Sequence, residues 1–439
     1  MPASPSTARA INDRLALRLL QRDGPLTAGQ LKQQTGLSRP TVADLVERLT
    51  DAGLITVVGE AGEQRRGPNA KLYGIVADRA HLAALDVRTE GVAVVVCDLV
   101  GQVLAEASAP IGGETGTGPA VEQSVALVER VAKEAGAEEL HTVGIGAPGL
   151  VDPASGELRD STGLPEWHRR LVAAVQERLP AARVHVENET NLAALAEQRD
   201  GVARDRDTFV LLWLGGGTGA AVVLDGRLRR GASGGTGEIG FLPVPGTGTL
   251  PTATDCGGGF HSLAGAQAVA DLAAAYGLHA RATGGEPHAA TLVRRAADDV
   301  AVDGTHLPVP GSGPGPGPGT AADRREAPGG PGRGGEEPAG HGPQVVDAAG
   351  FLDALADRVA LGAASVVAVL DPGCVVLGGE VGQAGGSALA ERVEQRLRRL
   401  SPLPTEVRPS ALGGTAVLRG ALLTARDRAQ DELFTTGER

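Results

Sequence analysis

The segment that decides the fold of this chain is VGIGAPGLVD, residues 143–152. Its first half is an apolar run typical of a strand, and its second half is a glycine-rich loop. Two further strand patterns lie at residues 82–87 and 92–97, and a helical pattern lies between them and this segment at residues 121–134. Strands that alternate with helices predict an α/β fold.

The same alternation continues toward the C-terminus. Strand patterns lie at residues 184–186, 210–214, 220–224 and 374–377, and helical patterns lie at residues 191–199 and 351–370. Glycine-rich turns follow several of these strands, at residues 144–149, 215–219, 231–240 and 378–379. Because glycine lets a backbone approach a phosphate or a sugar closely, a series of such turns is more specific for a ligand cleft than any one of them.

The composition changes twice along the chain. Residues 308–343 contain twelve glycines and nine prolines, which cannot bury a core, so we predict a disordered insertion there. Residues 1–78 hold ten basic and eight acidic residues, a net charge of +2, whereas the whole chain has −12 and the remainder therefore has −14. Such asymmetry indicates a separate module that faces nucleic acid.

The first 78 residues have the pattern of a winged helix-turn-helix. Thr27 with Gln30 is a capping-box pattern for a second helix, Ser38 caps a third, and strands at residues 54–58 and 71–75 form a hairpin. The first helix is predicted to bury one face made of Ile11, Leu15, Leu19 and Leu20.

Polar and basic residues of this module are the candidate contacts to double-stranded DNA. The start of a recognition helix meets base edges, and a wing reaches the backbone or the minor groove. The candidates are Ser38, Arg39, Thr41 and Arg48 on the third helix, and Arg65, Arg66 and Lys71 on the wing. A winged helix used only for protein contacts or dimerisation is the alternative.

Several classes of protein are disfavoured. No segment is long and apolar enough to cross a bilayer, so we expect no membrane partner, and the N-terminus lacks the pattern of a signal peptide. The three cysteines lie far apart and make no disulfide framework. We therefore expect a cytoplasmic protein.

The motifs resemble, in chain order, those of the ROK family, which groups bacterial sugar-responsive repressors with sugar kinases. GAPGLVD at 146–152 is similar to G-x-P-G-x-V-D, and ENETN at 187–191 followed by AALAE at 193–197 is similar to E-N-D-x-N-x-A-A-L-x-E. GEIG at 237–240 and the turns at 215–219 and 377–379 also resemble family motifs. The resemblance implies an actin-like ATPase fold of two α/β lobes with a sugar in the cleft, and the N-terminal winged helix matches the repressor branch.

The resemblance also carries candidate sugar-binding residues, Asn188, Glu189 and Glu238. Glu189 stands at the position of the kinases' catalytic Asp and is a vestigial candidate only. Where kinases carry D-x-G-G-T facing the ATP phosphates, this chain has DVRTE, residues 86–90. Both glycines are absent and Glu90 adds negative charge near a triphosphate, so we predict no catalytic residue and no phosphoryl transfer.

A structural zinc site is a further implication of the resemblance. Its four positions read Phe241, Thr254, Cys256 and His261 here. A closed zinc site needs four nitrogen or sulfur donors, and only two residues of these types are present, so we predict no metal and no cofactor. Phe241 also stands where the resemblance implies a sugar-binding His, so we expect sugar recognition to be weakened, changed or lost.

These observations predict a DNA-binding transcriptional regulator, a repressor, that responds to a sugar or sugar phosphate and forms a homodimer or homotetramer. The domains are a winged helix at 1–78, a first lobe at 79–195, a second lobe with the insertion at 196–425, and a tail at 426–439. One alternative is an ATP-dependent sugar kinase with a DNA-binding appendage. The other is a regulator that binds no ligand.

Overall fold

The computed structural model describes residues 5–61, 69–159, 164–280, 286–304 and 346–434. The predicted insertion at 308–343 and the wing residues Arg65 and Arg66 lie outside this part of the chain.

The N-terminal segment forms a winged helix-turn-helix, as predicted. Its elements are α1 (Pro5–Asp23), β1 (Leu26–Thr27), α2 (Ala28–Thr35), α3 (Arg39–Asp51), β2 (Ile55–Ala61) and β3 (Ala70–Ile75). The three strands pair in the order β1-β3-β2 and are antiparallel.

Local hydrogen bonds fix the ends of α2 and α3. Thr27 and Gln30 form the predicted capping box, in which the Thr27 hydroxyl accepts from the Gln30 N–H at 3.2 Å and the Thr27 N–H donates to the Gln30 side chain at 2.8 Å. Gly36 ends α2 with a φ of +70°, a conformation that glycine adopts without strain. Ser38 caps α3 through the Thr41 N–H. The turn that aims α3 is therefore encoded locally.

The predicted buried face of α1 is wrong in its first half. Leu19 and Leu20 are buried, but Ile11 is 57% exposed and Leu15 is 39% exposed. Ala16 and Leu17 take the inward positions instead, because α1 packs on both the winged helix and the body of the protein.

The first sheet of the body follows the winged helix. Its strands and helices are β4 (His81–Arg88), β5 (Gly91–Asp98), β6 (Val103–Pro110), α4 (Thr117–Glu134), β7 (Leu140–Ala147), α5 (Glu166–Arg178), β8 (Arg183–Asn188) and α6 (Glu189–Arg199). The strand order is β6-β5-β4-β7-β8, with β4, β7 and β8 parallel. Helices α4 and α5 cover one face through apolar side chains such as Val128 and Leu171.

The second sheet repeats this topology. Its elements are β9 (Phe209–Leu214), β10 (Thr218–Leu224), β11 (Arg227–Arg229), α7 (His261–Ala264), α8 (Ala266–Ala275), α9 (His288–Gly304), α10 (Ala348–Leu370), β12 (Cys374–Gly378), α11 (Gly379–Leu400), β13 (Glu406–Pro409) and α12 (Ala416–Leu433). The strand order is β11-β10-β9-β12-β13, with β9, β12 and β13 parallel. Two sheets of the same order give the two-lobed actin-like fold predicted above.

Helices α6 and α12 join the two lobes. Helix α6 packs on β9 and β10 of the second sheet and on α12, and α12 covers β4 and β7 of the first sheet. Residue 195, the predicted boundary between the lobes, lies within α6, and α12 continues to Leu433 through most of the predicted tail. The predicted domain boundaries stay predictions.

The contact between α6 and α12 depends on a glycine. A Cβ added at Gly420 would stand 2.1 Å from the Leu192 carbonyl oxygen, well inside any van der Waals contact. The two helix backbones therefore approach more closely than any side chain at this position allows.

No helix in the described ranges is both long and apolar enough to span a membrane.

Gly420→Ala is expected to lower the free energy of unfolding by about 1–3 kcal/mol, because the new methyl group forces α12 away from α6. Urea denaturation measures this change. Gly118→Ala is the matched control, since a Cβ at this glycine of α4 meets nothing within 4 Å and alanine favours a helix. Equal stability of the two variants would show that the α6–α12 contact is not tight.

Candidate functional site

The start of α3 presents two hydroxyl groups and a guanidinium. The Ser38 and Thr41 hydroxyls lie 2.8 Å apart, and Ser38 also accepts from the Thr41 backbone. Arg39, next to the cap, is exposed. Arg39 is thus an exposed cation at the start of α3. The Ser38 and Thr41 hydroxyls are bonded to each other, and Ser38 caps the helix.

Arg48 is tied to its neighbours. Its Nη2 lies 2.6 Å from Asp13 Oδ1 on α1, and it also pairs with Asp44 one turn earlier on α3. These carboxylates raise the pKa of Arg48, with the hydrogen bond to Asp13 the largest cause. A phosphate would have to displace them, so the geometry fits a residue that positions α3 against α1. Its predicted DNA contact stays a prediction.

The structure describes the two strands of the wing, β2 and β3, but not residues 62–68 between them. Lys71 is exposed on β3 and stands opposite Glu60 of β2. Arg65 and Arg66 lie outside the described residues, so their predicted contacts stay predictions as well.

The cleft of the body is formed where parallel strands end. Because β4, β7 and β8 are parallel, their carboxyl ends meet at one edge of the first sheet, and the ends of β9 and β12 do the same in the second. The predicted sugar-binding residues lie at these edges: Asn188 and Glu189 at the junction of β8 and α6, and Glu238 in the loop that follows β11.

Asn188 holds two elements together. Its Oδ1 accepts from the backbone of Thr190 at 2.9 Å and of Asn191 at 3.2 Å, which caps α6. Its Nδ2 donates to the Gly149 carbonyl at 3.0 Å, in the glycine-rich loop after β7. The side chain therefore orients the cleft edge in addition to any contact with a ligand.

An ion pair between exposed Arg230 and buried Glu187, next to Asn188, was missed by the sequence analysis. Arg230, from the loop after β11, donates through Nε to Glu187 Oε2 at 2.7 Å. Glu187 Oε1 accepts from the Asn191 side chain at 2.9 Å and from the Asn188 N–H at 3.0 Å. This network ties the second lobe to the start of α6. An acidic residue directly before the Asn-Glu pair was the signal in the sequence.

Glu189 is a carboxyl group in an environment that favours its protonated form. Burial raises the pKa of Glu189 to about 8, and the negative charges of Asp86 and Glu380 add to the rise, whereas Arg88 opposes it. Glu238 also raises it to a smaller extent and is itself exposed to solvent. The charges of both lobes thus act on one carboxyl group at the start of α6.

Arg88 crosses the cleft at the position where the resemblance implied a nucleotide. Its Nε and Nη2 donate to Asp86 Oδ2 at 2.9 and 2.8 Å, Nη2 donates to the Gly414 carbonyl at 2.7 Å, and Nη1 lies 3.5 Å from Glu380 Oε1. A Cβ at Gly215 would stand 2.3 Å from Glu380 Oε2, so that carboxylate lies directly against the glycine turn after β9. The residues present do not fit ATP phosphates.

The positions of the implied zinc site do not fit a metal either. Phe241 is 36% exposed, and hydrogen bonds organise the loop around it, among them Phe260 N–H to the Leu242 carbonyl at 2.9 Å and Gly258 N–H to the Ser262 hydroxyl at 2.8 Å. Among the described residues no group of three His, Cys, Asp or Glu side chains could hold a metal ion.

The winged helix is bonded to the body through α12. Gln430 Nε2 donates to Gln21 Oε1 of α1 at 2.7 Å and to the Leu99 carbonyl at 2.9 Å, and Gln21 donates to the Val100 carbonyl at 3.1 Å. Apolar side chains of the winged helix and of the first sheet form one continuous cluster around this junction. A continuous set of contacts therefore runs from Glu189 through α6 and α12 to α1.

Fold and site define the class: a winged helix-turn-helix on a two-lobed body of the sugar-kinase type, with Arg88 paired to Asp86 and Glu380 in its cleft. The chain belongs to the ROK family, whose model matches residues 82–297 and 343–428. A model described as winged helix-turn-helix DNA-binding matches residues 9–56.

Individual relatives include regulators and kinases. The DNA-binding transcriptional dual regulator NagC of Escherichia coli K12 is 28% identical over 245 residues, which are 54% of this chain and 58% of that protein. A glucokinase of Thermotoga maritima is 32% identical over 145 residues, which are 33% of this chain and 45% of that protein. The chain spans about half the length of the curated relatives it matches.

A solved structure of similar fold is a ROK family transcriptional regulator described as a homolog of the E. coli MLC protein. It aligns with a TM-score of 0.69 and 21% identity over 98% of both chains. At this identity the likeness shows the fold, and the fold includes the winged helix as well as the body.

Glu189→Gln is expected to change how stability depends on pH. Because folding raises the pKa of this carboxyl from 4.5 to about 8, its contribution to stability is present at low pH and is lost as the pH rises through that interval. The melting temperature of the variant minus that of the wild type should therefore increase between about pH 5 and pH 8.

Thermal melts at intervals of pH measure this difference. Glu166→Gln, which changes an exposed carboxylate at the start of α5, is the matched control. A difference that stays constant across the range for Glu189→Gln would contradict the assigned environment of Glu189.

Proposed function

We propose that this protein is a sugar-responsive DNA-binding transcriptional regulator of the cytoplasm, a repressor without kinase activity. The observation that carries the proposal is a capped α3 with an exposed Arg39 in a winged helix that shares one hydrophobic cluster with a sugar-kinase-type body. The likeness to NagC supports the same function.

DNA is contacted by the winged helix. Arg39, Ser38 and Thr41 meet the major groove at the start of α3, and Arg65, Arg66 and Lys71 contact the backbone or minor groove from the wing. Arg48 joins the DNA contacts only if phosphate displaces Asp13 and Asp44. The body carries the excess of acidic residues and is repelled by phosphate, which leaves contact to the winged helix.

The effector is a sugar that binds in the cleft at Asn188, Glu189 and Glu238. A carboxylate or carboxylic acid and an amide are the groups that hydrogen-bond sugar hydroxyls. Asn188 and Glu189 lie at the start of α6, so a ligand there changes the position of α6 relative to the second lobe. The shift passes to α12 and, through the Gln430–Gln21 bond, to α1.

The absence of kinase activity is supported by Arg88 and Glu380. Their side chains lie where phosphate oxygens would need backbone N–H donors, and Glu380 brings a negative charge to the glycine turn. A homodimer or homotetramer is the expected assembly, because paired winged helices read two half-sites about one helical turn of DNA, or a multiple of it, apart.

Arg39→Ala is expected to weaken binding to operator DNA by about tenfold or more, because it removes a charged contact to a base or phosphate at the start of α3. The DNA is obtained by selection from a random pool with the full chain, and the selection is repeated with a panel of sugars. Affinity is measured by fluorescence anisotropy at several salt concentrations, and binding should weaken steeply with salt.

Arg130→Ala, which removes an exposed Arg of α4 on the body, is the matched control and should bind as the wild type does. The proposal fails if the full chain shows no salt-dependent DNA binding, or if Arg39→Ala and Arg130→Ala bind equally well.

A further inference from the structure

We propose that the cleft selects an uncharged sugar and rejects phosphorylated ligands, because an internal ion pair of Arg88 and Glu380 occupies the place where a phosphate would bind. This inference rests on the proposed function and specifies its effector. It names one class of ligand, the neutral sugar, where the sequence left sugar and sugar phosphate open.

Arg88 is the first reason. A guanidinium has five N–H donors, and a phosphate is bound by several of them at once. Four of the five N–H donors of Arg88 already have acceptors, on Asp86, Glu380 and the Gly414 carbonyl. Most of the hydrogen-bonding capacity of Arg88 is thus already used by oxygens of the protein itself.

Glu380 is the second reason. It lies in the first turn of α11, where unpaired backbone N–H groups and the helix dipole favour an anion. Gly379 directly before it has a φ of +75°, and a Cβ there would stand 2.4 Å from the Leu214 carbonyl oxygen, so the backbone holds Glu380 beside the turn at Gly215. The Glu380 carboxylate takes the anion position itself.

The charge balance is the third reason. Three acidic groups from three elements act on Glu189: Asp86 of β4, Glu380 of α11 and Glu238 of the loop after β11. Arg88 is the cation that acts on it, and Arg230 is paired with Glu187. A phosphate dianion in this space meets repulsion, whereas the hydroxyl groups of a neutral sugar donate to carboxylates without charge conflict.

Two variants separate the charge of Glu380 from its volume. Glu380→Gln removes the charge and keeps the side chain, and Glu380→Ala also opens the space beside Gly215. Each leaves Arg88 with an Nη1 group that lacks its carboxylate partner and is able to bind an anion. Glu406→Gln, which changes a Glu paired with Arg206 and Arg408 on β13, is the matched control.

The full chain and the three variants are titrated by calorimetry with glucose, glucose 6-phosphate and inorganic phosphate. Wild type and Glu406→Gln should show no binding of either phosphate up to about 10 mM. Glu380→Ala should gain affinity for inorganic phosphate by about tenfold or more, and Glu380→Gln should gain less because its side chain still fills the turn. Melting temperatures in each ligand check that the variants are folded.

The inference is overturned if the wild type binds glucose 6-phosphate as tightly as glucose or more tightly, or if neither Glu380 variant binds phosphate better than the wild type. These titrations contain no DNA. A failure of the proposed function, seen as the lack of operator binding by the full chain, is therefore distinguishable from a failure of this inference.

Discussion

The close packing of α6 on α12 is the constraint on which the rest of the molecule depends. Because Gly420 brings the two backbones into contact at Leu192, α6 cannot move without α12. Hydrogen bonds also hold α6 to the segment that leads to α12. The buried Glu197 carboxylate of α6 accepts them from the Ser410 hydroxyl and from the Ala411 and Leu412 N–H groups. One end of this helix pair carries the cleft residues, and the other carries the contact to the winged helix. Contacts therefore connect the cleft at Glu189 with α1 through α6 and α12.

The cleft combines the backbone architecture of a sugar kinase with a set of internal ion pairs. The strand ends, the glycine turns and the start of α11 are all in place, and each would favour a phosphate. Internal groups satisfy them instead. Burial raises the pKa of Asp86 and of Glu380, and Arg88 opposes the rise at both. The guanidinium thus offsets part of the cost of ionising these two carboxyl groups, and its hydrogen bonds to them hold it across the cleft.

The sequence predicted the features of the fold that are determined by residues close together in the chain. The capping box at Thr27 and Gln30, the glycine turn at Gly36 and the alternation of strands and helices are local patterns, and each was confirmed. It did not predict contacts between distant segments. Arg88 and Glu380 are 292 positions apart, so no local spacing relates them. Ile11 and Leu15 have the right helical spacing for burial, but the body covers a different face of α1. The DNA and sugar contacts named from the sequence stay predictions.

The path of the chain has a consequence for its synthesis. Strands β4 and β7 belong to the first half of the sequence, but α12, which covers one face of both, is the last helix. While the ribosome is still making the second lobe, that face is exposed, and α1 lacks its partner at Gln430. The first lobe cannot complete its core until α12 has been synthesised, so the nascent chain exposes an apolar face while the second lobe is being made. Premature termination before residue 416 would release a protein whose first sheet exposes the apolar face that α12 covers.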